Sequence, residues 1–279
     1  MAVIKRRITG LVLAALWFFF WIYQGWPLRI VFTLLMGMGM FEMCRAFSQG
    51  KGFEGGVGCA VFTIAALPVY EFALKNANPF YSMGLFVMLA VLCMMISMSI
   101  LIFKGDIDYG KAMSAIVPVF YPGLFFALMY PLIYIGGRGE VMLALGMAVM
   151  IPLINDLMAY EVGSLIGKHK LAPKVSPKKT VEGSVAGFIS GIVMACALPY
   201  LLHLVFPVIL LQPFWEYLVL GAVVSVASQL GDLSASYIKR ACNIKDYGSL
   251  LPGHGGIMDR LDAVIFGAAF CSVFYFILR

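Results

Sequence analysis

Nine apolar stretches, each long enough to cross a lipid bilayer, follow one another along almost the whole chain. Crossing about 30 Å of hydrocarbon takes about 20 residues of helix. The stretches lack the polar–apolar alternation of barrel strands, and in lipid a helix satisfies its own backbone hydrogen bonds. The sequence therefore predicts an all-α, polytopic integral membrane bundle of about nine transmembrane helices. They are placed at 8–26, 28–47, 56–74, 79–103, 113–135, 141–166, 184–205, 214–238 and 259–278.

The composition supports this class of protein. Of 279 residues, 62% are hydrophobic and only 12% are charged, and the mean hydropathy is +0.95, whereas soluble domains carry about 25% charged residues. The net charge of +6 therefore indicates membrane insertion and attraction to anionic membrane lipids. No nucleic-acid partner is expected.

The basic residues predict how the chain is oriented, because cytoplasmic loops of membrane proteins are enriched in lysine and arginine. With a cytoplasmic amino terminus, only four of the 20 basic residues fall outside, namely Arg29, Lys75, Arg138 and Arg279. We therefore expect a multi-pass protein of the cytoplasmic (inner) membrane whose amino terminus faces the cytoplasm.

No stretch is long and polar enough to form a separate soluble domain. The longest polar connections are the loops 168–183 and 241–257, both predicted to be cytoplasmic. Because chemistry needs polar side chains, we divide the chain into an amino-terminal transmembrane scaffold, 1–140, and a catalytic transmembrane region, 141–279, that carries both loops.

The scaffold region contains acids with bases nearby on the same predicted helix. Glu42 is followed by Arg45 three residues later, and Glu71 by Lys75 four residues later. These spacings bring side chains together on a helix, so we expect structural ion pairs. The run 113–135 contains three prolines, which remove backbone donors and predict a kinked helix.

The segment that begins at Ser236 contains many charged residues and glycines between two apolar runs. A charge at the centre of a transmembrane helix costs about 2.5–3.5 kcal/mol, so this segment indicates a site rather than an aid to insertion. Its charged and glycine-rich parts are Ser236-Tyr-Ile-Lys239-Arg240, Lys245-Asp246-Tyr-Gly248 and Pro252-Gly-His254-Gly255-Gly256-Ile-Met-Asp259-Arg260-Leu-Asp262.

Helical spacing groups several of these side chains. Asp232, Ser236 and Lys239 lie at positions i, i+4 and i+7 of the eighth predicted helix, which puts them on one stripe. Asp259 and Asp262, at i and i+3, share a face at the start of the ninth helix, where the helix dipole favours carboxylates. The alternative, that Asp259 is only a helix-terminal charge, explains neither Asp232 nor the glycines.

Four carboxylates in this region, Asp232, Asp246, Asp259 and Asp262, predict a metal site. Hard oxygen ligands without clustered Cys or His favour Mg²⁺, which proteins hold with one or two carboxylates plus substrate phosphates. Four acids exceed the need of one such ion. They indicate either two cations, the second divalent or monovalent, or one cation and an ion-paired carboxylate.

The glycines before these acids predict a phosphate cradle. In 252–256, three of the five residues lack a side chain, so backbone N–H groups can approach an anion closely, and the loop leads into a helix amino terminus. His254 lies within this loop and is a candidate site residue.

A second polar segment begins at Asn155-Asp156, near the end of the sixth predicted helix. Lysines in such a segment suit a triphosphate because they are flexible point charges. A positive-inside loop would also be rich in lysine, so this alternative stays open for Lys168 and Lys170. The segment continues as Gly167-Lys168-His169-Lys170-Leu-Ala-Pro173, then Lys174-Val, and ends as Ser176-Pro-Lys178-Lys179-Thr180-Val-Glu182-Gly183.

Together the two segments resemble the CDP-diacylglycerol synthases, also called phosphatidate cytidylyltransferases, over residues 150–270. The fixed positions of that family's signature are present from Ser236 to Asp262. The resemblance implies an enzyme that uses Mg²⁺ to join CTP and phosphatidate into CDP-diacylglycerol and pyrophosphate at the cytoplasmic face of the membrane. A homodimer is expected by family analogy alone.

The resemblance also implies roles for individual residues. Asp232 and Asp259 would be the principal metal ligands, and Lys178 and Lys179 would hold the outgoing pyrophosphate. The predicted catalytic residues are Asp232, Ser236, Lys239, Lys245, Asp246, His254, Asp259, Arg260 and Asp262. The predicted substrate-binding residues are Asp156, Ser176, Lys178, Lys179, Thr180, Glu182, Arg240, Gly255 and Gly256.

The chain departs from the family's pattern within the second segment. Leu157 and Met158 follow Asp156 where small residues such as Thr-Gly are expected. Glu161 is unusual at its position, and Ser164 stands where a basic residue is common.

Two other functions fit parts of the sequence. An ion-coupled transporter would also be a bundle with kinked helices and intramembrane acids, but here the charges gather at one face and in loops. A lipid transferase that uses a CDP-activated substrate would carry an Asp-Gly-x-x-Ala-Arg type of motif, which this sequence lacks. An assay with labelled CTP, phosphatidate and Mg²⁺ distinguishes the three.

Overall fold

The apolar segments of the amino-terminal half fold as long helices, since helices satisfy backbone hydrogen bonds without water. The computed structural model describes residues 2–50, 55–75, 79–105, 107–209, 211–251, 253 and 255–278. The first four helices are α1 (Ala2–Tyr23), α2 (Gly25–Ser48), α3 (Gly56–Lys75) and α4 (Pro79–Lys104).

The fifth apolar segment is a broken helix. Tyr121, the residue before Pro122, leaves the helical conformation with φ −134° and ψ 112°, because the proline ring disfavours helical backbone in the residue before it. The kink predicted from the prolines is confirmed. The segment consists of α5 (Tyr109–Pro118), a π-helical part (Val119–Leu124), α6 (Phe125–Ala127) and α7 (Tyr130–Tyr134).

The remaining long helices are α8 (Arg138–Ile166), α9 (Val181–Val205), α10 (Phe214–Ala241) and α11 (Met258–Leu278). In the part of the chain that the structure describes, each predicted span thus corresponds to a helix or to the broken series. Seven helical segments there are long and apolar enough to cross a membrane, and a shorter apolar helix covers Gly10–Tyr23. The protein is a polytopic helical membrane protein.

A small β-hairpin interrupts the predicted all-α pattern. Strands β1 (Lys170–Ala172) and β2 (Ser176–Thr180) pair in antiparallel fashion within the loop 168–183. Prolines at 173 and 177 restrict the backbone at and before their own positions to extended or turn conformations. The polar strand residues can stay in water on one side, so a short hairpin forms where the sequence indicated only a loop.

The helices group into two compact units. The first contains residues 1–130 and 241–260, and the second contains residues 131–240 and 261–279. The signature loop 241–257 groups with the amino-terminal helices, and the functional division at 140 stays a prediction.

Methionine and aromatic side chains fill the core of the first unit. Met36 and Met40 of α2 are fully buried, as expected for flexible residues that fill irregular spaces. The rings of Tyr70, Phe86 and Tyr130 stack on one another with centroids 5.7 to 6.1 Å apart. These contacts join α3 and α4 to the broken fifth segment.

Glu71 pairs with a base on another helix. Its Oε1 lies 2.9 Å from Nη1 of Arg29, so the ion pair links α3 to the start of α2. Spacing along one helix did not reveal this partner, because a neighbouring helix brings it, and the predicted pairing with Lys75 stays a prediction.

In the second unit, α8 and α9 approach closely at glycines. A Cβ atom at Gly183 would collide with the carbonyl oxygen of Ala159, and one at Gly187 would collide with Asn155. Small residues of this kind let transmembrane helix backbones pack tightly. The hairpin that joins α8 to α9 is therefore held at the end of α8 that carries Asp156.

Candidate active site

Asp232 of α10 lies at the centre of a polar cluster in the second unit. Its Oδ2 forms an ion pair with Nζ of Lys179 on β2, and these side chains are 20% and 27% exposed. Its Oδ1 accepts a hydrogen bond from Oγ of Ser236, one turn later, at 3.4 Å. The i, i+4 relationship predicted for this helix is therefore present.

Asp262 of α11 adds a second carboxylate to this cluster. Its Oδ2 lies 3.9 Å from Nζ of Lys239, and both side chains are only 12% exposed. Its Oδ1 accepts the backbone N–H of Ala263 at 2.9 Å. The carboxylate also interacts electrostatically with Asp232 and Asp156, so the stripe of α10 faces the start of α11.

Asp156 of α8 supplies the third carboxylate. It interacts electrostatically with Asp232 and with Lys179. The two departures that follow it, Leu157 and Met158, are 51% and 36% exposed, and successive helical positions point in different directions. The unusual residues therefore lie on the outer surface of α8, away from the cluster.

The cluster has more negative than positive groups. Asp156, Asp232 and Asp262 face the ammonium groups of Lys179 and Lys239, so the ionised set lacks one positive charge. Hard carboxylate oxygens suit Mg²⁺. Among the described residues, no group of three His, Cys, Asp or Glu side chains is arranged to hold a metal ion.

A buried network of amides and hydroxyls supports these acids. Asn155 Nδ2 donates to the carbonyl oxygen of Ser225 at 2.8 Å and to Oγ of Ser228 at 3.0 Å. Gln229 Nε2 donates to Oδ1 of Asn155 and to the carbonyl oxygen of Ser184, both at 2.9 Å. The network ties α8, α9 and α10 together at the level of Asp156 and Asp232.

The hairpin separates two lysines that the sequence presented as equivalent. Neighbouring residues of a strand point to opposite faces. Accordingly Lys179 contacts Asp232, whereas Lys178 is exposed. Thr180, which ends β2, is buried, and its Oγ1 accepts the N–H of Gly183 at 3.2 Å as the cap of α9.

Two predicted substrate-binding residues hold the hairpin in place. The carboxylate of Glu182 accepts the backbone N–H of His169 at 3.2 Å and contacts Nδ1 of the same residue at 2.7 Å. Nε of Arg240 donates to the carbonyl oxygen of Val175 at 3.4 Å. Both contacts fix the hairpin against the helices, and through it the position of Lys179.

In the first unit, Asp259 organises the signature loop. Its Oδ2 accepts the backbone N–H groups of Tyr247 at 2.8 Å and Gly256 at 2.9 Å. Gly255 adopts φ +85°, a left-handed conformation that glycine takes at little cost. The N–H of Gly256, predicted to face a phosphate, is thus bonded to a carboxylate.

Glu42 of α2 binds this loop, and sequence reasoning missed that role. Its Oε1 accepts the N–H of Ile257 at 3.0 Å and its Oε2 that of Met258 at 2.8 Å. The predicted pairing with Arg45 was therefore wrong, because the carboxylate points to α11. The sequence signal was an acid within an apolar span, and we interpreted it as the partner of the nearby Arg45.

Several other predicted residues lie on or near the surface. Lys245, Asp246 and Arg260 are exposed, Ser176 is half-buried, and His254 lies outside the described residues. Asp246 lines a cavity of about 580 Å³ on the first unit. The predicted sharing of one ion by Asp232 and Asp259 concerns residues of different units and stays a prediction.

Comparison with known proteins assigns the family. A sequence profile described as the cytidylyltransferase family matches residues 4–278. The chain belongs to this family. A phosphatidate cytidylyltransferase of Bacillus subtilis strain 168 is 30% identical over 277 residues, which cover 98% of this chain and 97% of the relative. Phosphatidate cytidylyltransferases of Staphylococcus saprophyticus and Staphylococcus epidermidis are 34% and 35% identical over 163 residues, 58% of each chain.

The family assignment confirms the resemblance drawn from the two polar segments and extends it. The match includes the amino-terminal helices of this cytidylyltransferase, which the resemblance over 150–270 had left out. Glu42 and α2 therefore lie within the part of the chain that the family shares.

Proposed function

We propose that this cytidylyltransferase joins CTP to phosphatidate and releases pyrophosphate, with Mg²⁺ as cofactor. The names of the Bacillus and Staphylococcus relatives support the two substrates. The observation that carries the proposal is the cluster of Asp156, Asp232 and Asp262 with Lys179 and Lys239. It combines acids for a cation with ammonium groups for phosphates.

In the proposed reaction, a phosphate oxygen of phosphatidate forms a bond to the α-phosphorus of CTP. The bond from that phosphorus to the oxygen bridging to the β-phosphate breaks, and pyrophosphate leaves with the electron pair. The attacking phosphate is already an anion near neutral pH, so a general base is not required. The protein's task is to neutralise charge and to align the two phosphates.

Each residue of the cluster has a part in this task. Asp232 and Asp262, with Asp156 beside them, would hold the cation, which when bound would neutralise phosphate oxygens. Lys179, which pairs with Asp232, would be a substrate-binding group that supplies positive charge next to the cation. Ser236 and Lys239 orient Asp232 and Asp262 through the contacts at 3.4 and 3.9 Å. The predicted roles of Asp259 as a principal ligand and of Asp246 as a supporting one stay predictions.

We propose that the cluster faces the cytoplasm and that the protein resides in the inner membrane. The distribution of basic residues supports this orientation. Nine spans and a cytoplasmic amino terminus put the carboxy terminus outside, so a reporter fused after the last residue should be active only in the external compartment. A cytoplasmic carboxy terminus would contradict the proposed topology.

The test of function uses purified protein with labelled CTP, phosphatidate and Mg²⁺. The expected result is labelled CDP-diacylglycerol and one pyrophosphate for each lipid formed, both lost when a chelator removes the cation. Ion flux in liposomes without any CTP-dependent product would favour a transporter instead. A readout besides activity is the unfolding temperature, which Mg²⁺ alone should raise in the wild type and not in Asp232→Asn.

A further inference from the structure

We infer that Glu42 is a positioning residue that holds the signature loop and the first turn of α11 in place. The inference rests on the proposed function in one respect, namely that this loop serves the cytidylyl transfer. Glu42 lies in the region that the sequence predicted as scaffold.

The contact of Glu42 is made by both of its carboxylate oxygens. The residue is 7% exposed, and its oxygens accept the N–H groups of Ile257 and Met258 at 3.0 and 2.8 Å. The first N–H groups of a helix lack partners within the helix, and a carboxylate there is favoured by the helix dipole. Asp259 takes the next N–H, that of Gly256, at 2.9 Å. Two carboxylates thus accept the N–H groups of Gly256 and Ile257, which precede α11, and of Met258, its first residue.

The glycines of the loop make room for this carboxylate. A Cβ atom at Gly248 would lie 2.6 Å from Oε1 of Glu42, which is too close for any real contact. A Cβ atom at Gly256 would collide with both carboxylate oxygens. A Cβ atom at Gly255 would instead meet Asp259. The Glu42 carboxylate therefore explains why positions 248 and 256 are glycine. This explanation differs from the predicted one, in which the glycines let a phosphate approach the backbone.

These contacts fix the segment that carries charged residues of the signature. The N–H of Tyr247 bonds to Asp259, and Gly248 and Gly256 both lie close to the Glu42 carboxylate. Lys245 and Asp246 directly precede Tyr247 and Gly248, which these contacts hold in place. A substitution at Glu42 should therefore reduce turnover. It would act by displacing the loop, because the Glu42 side chain bonds to the protein's own backbone.

The first test is a rescue experiment. Gly256→Ala should lose activity because its methyl group meets the Glu42 carboxylate, and Glu42→Asp, one methylene shorter, should free that space. We expect Glu42→Asp/Gly256→Ala to be at least about threefold more active than Gly256→Ala, a coupling within the range of touching residues. Gly255→Ala is the matched control, and Glu42→Asp should not rescue it. A double variant no more active than Gly256→Ala overturns the inference.

The second test needs no substrate. Amide hydrogen exchange of the peptide containing Ile257 and Met258 should be about tenfold faster in Glu42→Gln, because the amide offers one acceptor oxygen in place of two and loses about 1.4 kcal/mol. Gly84→Ala, whose Cβ would meet nothing within 4 Å, serves as the neutral control. Unchanged exchange in a monodisperse Glu42→Gln protein overturns the inference. Since this measurement is independent of product formation, failure of the proposed reaction would be seen separately in the wild type.

Discussion

Lys179 of the hairpin and Asp232 of α10 form an ion pair, so a loop outside the helices delivers an ammonium group to the central carboxylate of the cluster. The neighbouring Lys178 is exposed. Strand geometry, which turns adjacent side chains to opposite faces, thus divides a pair of lysines into one that contacts the cluster and one that does not.

This difference predicts unequal effects of two alanine substitutions. Lys179→Ala should lower kcat/KM for CTP by at least about tenfold, because it removes a charge next to Asp232. Lys178→Ala should cause a clearly smaller loss. Steady-state kinetics with purified variants checks this, and equal losses from the two substitutions would contradict the arrangement of β2.

Asp232→Asn should lower kcat at least about 100-fold, since it removes the charge on which the cluster is centred. Rates of CDP-diacylglycerol formation measure the effect. Glu161→Gln is the control, because Glu161 is an exposed acid of α8 and its neutralisation should leave the rate near that of the wild type. Near-normal synthesis by a folded Asp232→Asn protein would remove Asp232 from the site.

The pair Lys239–Asp262 should show coupled effects on stability. Lys239→Met leaves a shielded carboxylate without its base and should cost about 1–3 kcal/mol, less than the about 3–5 kcal/mol of a fully buried pair. Adding Asp262→Asn should restore part of the unfolding temperature in detergent while activity stays lost. If the double variant is as unstable as the sum of the single variants, the two side chains do not interact.

Asn155→Ala should destabilise the second unit by about 1–3 kcal/mol, because it removes the buried amide that bonds to Gln229, to Ser228 and to the carbonyl oxygen of Ser225. The unfolding temperature measures this loss. Ser190→Ala is a suitable control, since the hydroxyl of Ser190 bonds to the carbonyl oxygen of Gly187 on its own helix. An Asn155 variant as stable as this control would show that the network contributes little.

Features that depend on one helix could be predicted from the sequence. The spans follow from length and hydropathy, and the proximity of Asp232 and Ser236 follows from helical spacing. Features that depend on a second element could not. Spacing indicated Arg45 as the partner of Glu42, but the contact is made by backbone groups of α11, which have no residue-specific signal.

The start of α11 shows a related limit of sequence reasoning. Asp259 and Asp262 are equivalent by spacing and charge, yet one binds backbone N–H groups of the loop while the other lies beside Lys239. The hairpin was missed for another reason. Its lysines and prolines are typical of an irregular loop, and pairing between two such short strands depends on the helices that hold their ends.

The bonds of Glu42 reach 215 and 216 residues ahead along the chain. The second helix is therefore synthesised long before Ile257 and Met258, whose N–H groups bond to the Glu42 carboxylate. A nascent chain that stops short of Ile257 therefore carries a Glu42 carboxyl group that lacks both of these backbone partners. One hydrogen-bonded contact thus links the earliest and the latest steps of this protein's biogenesis.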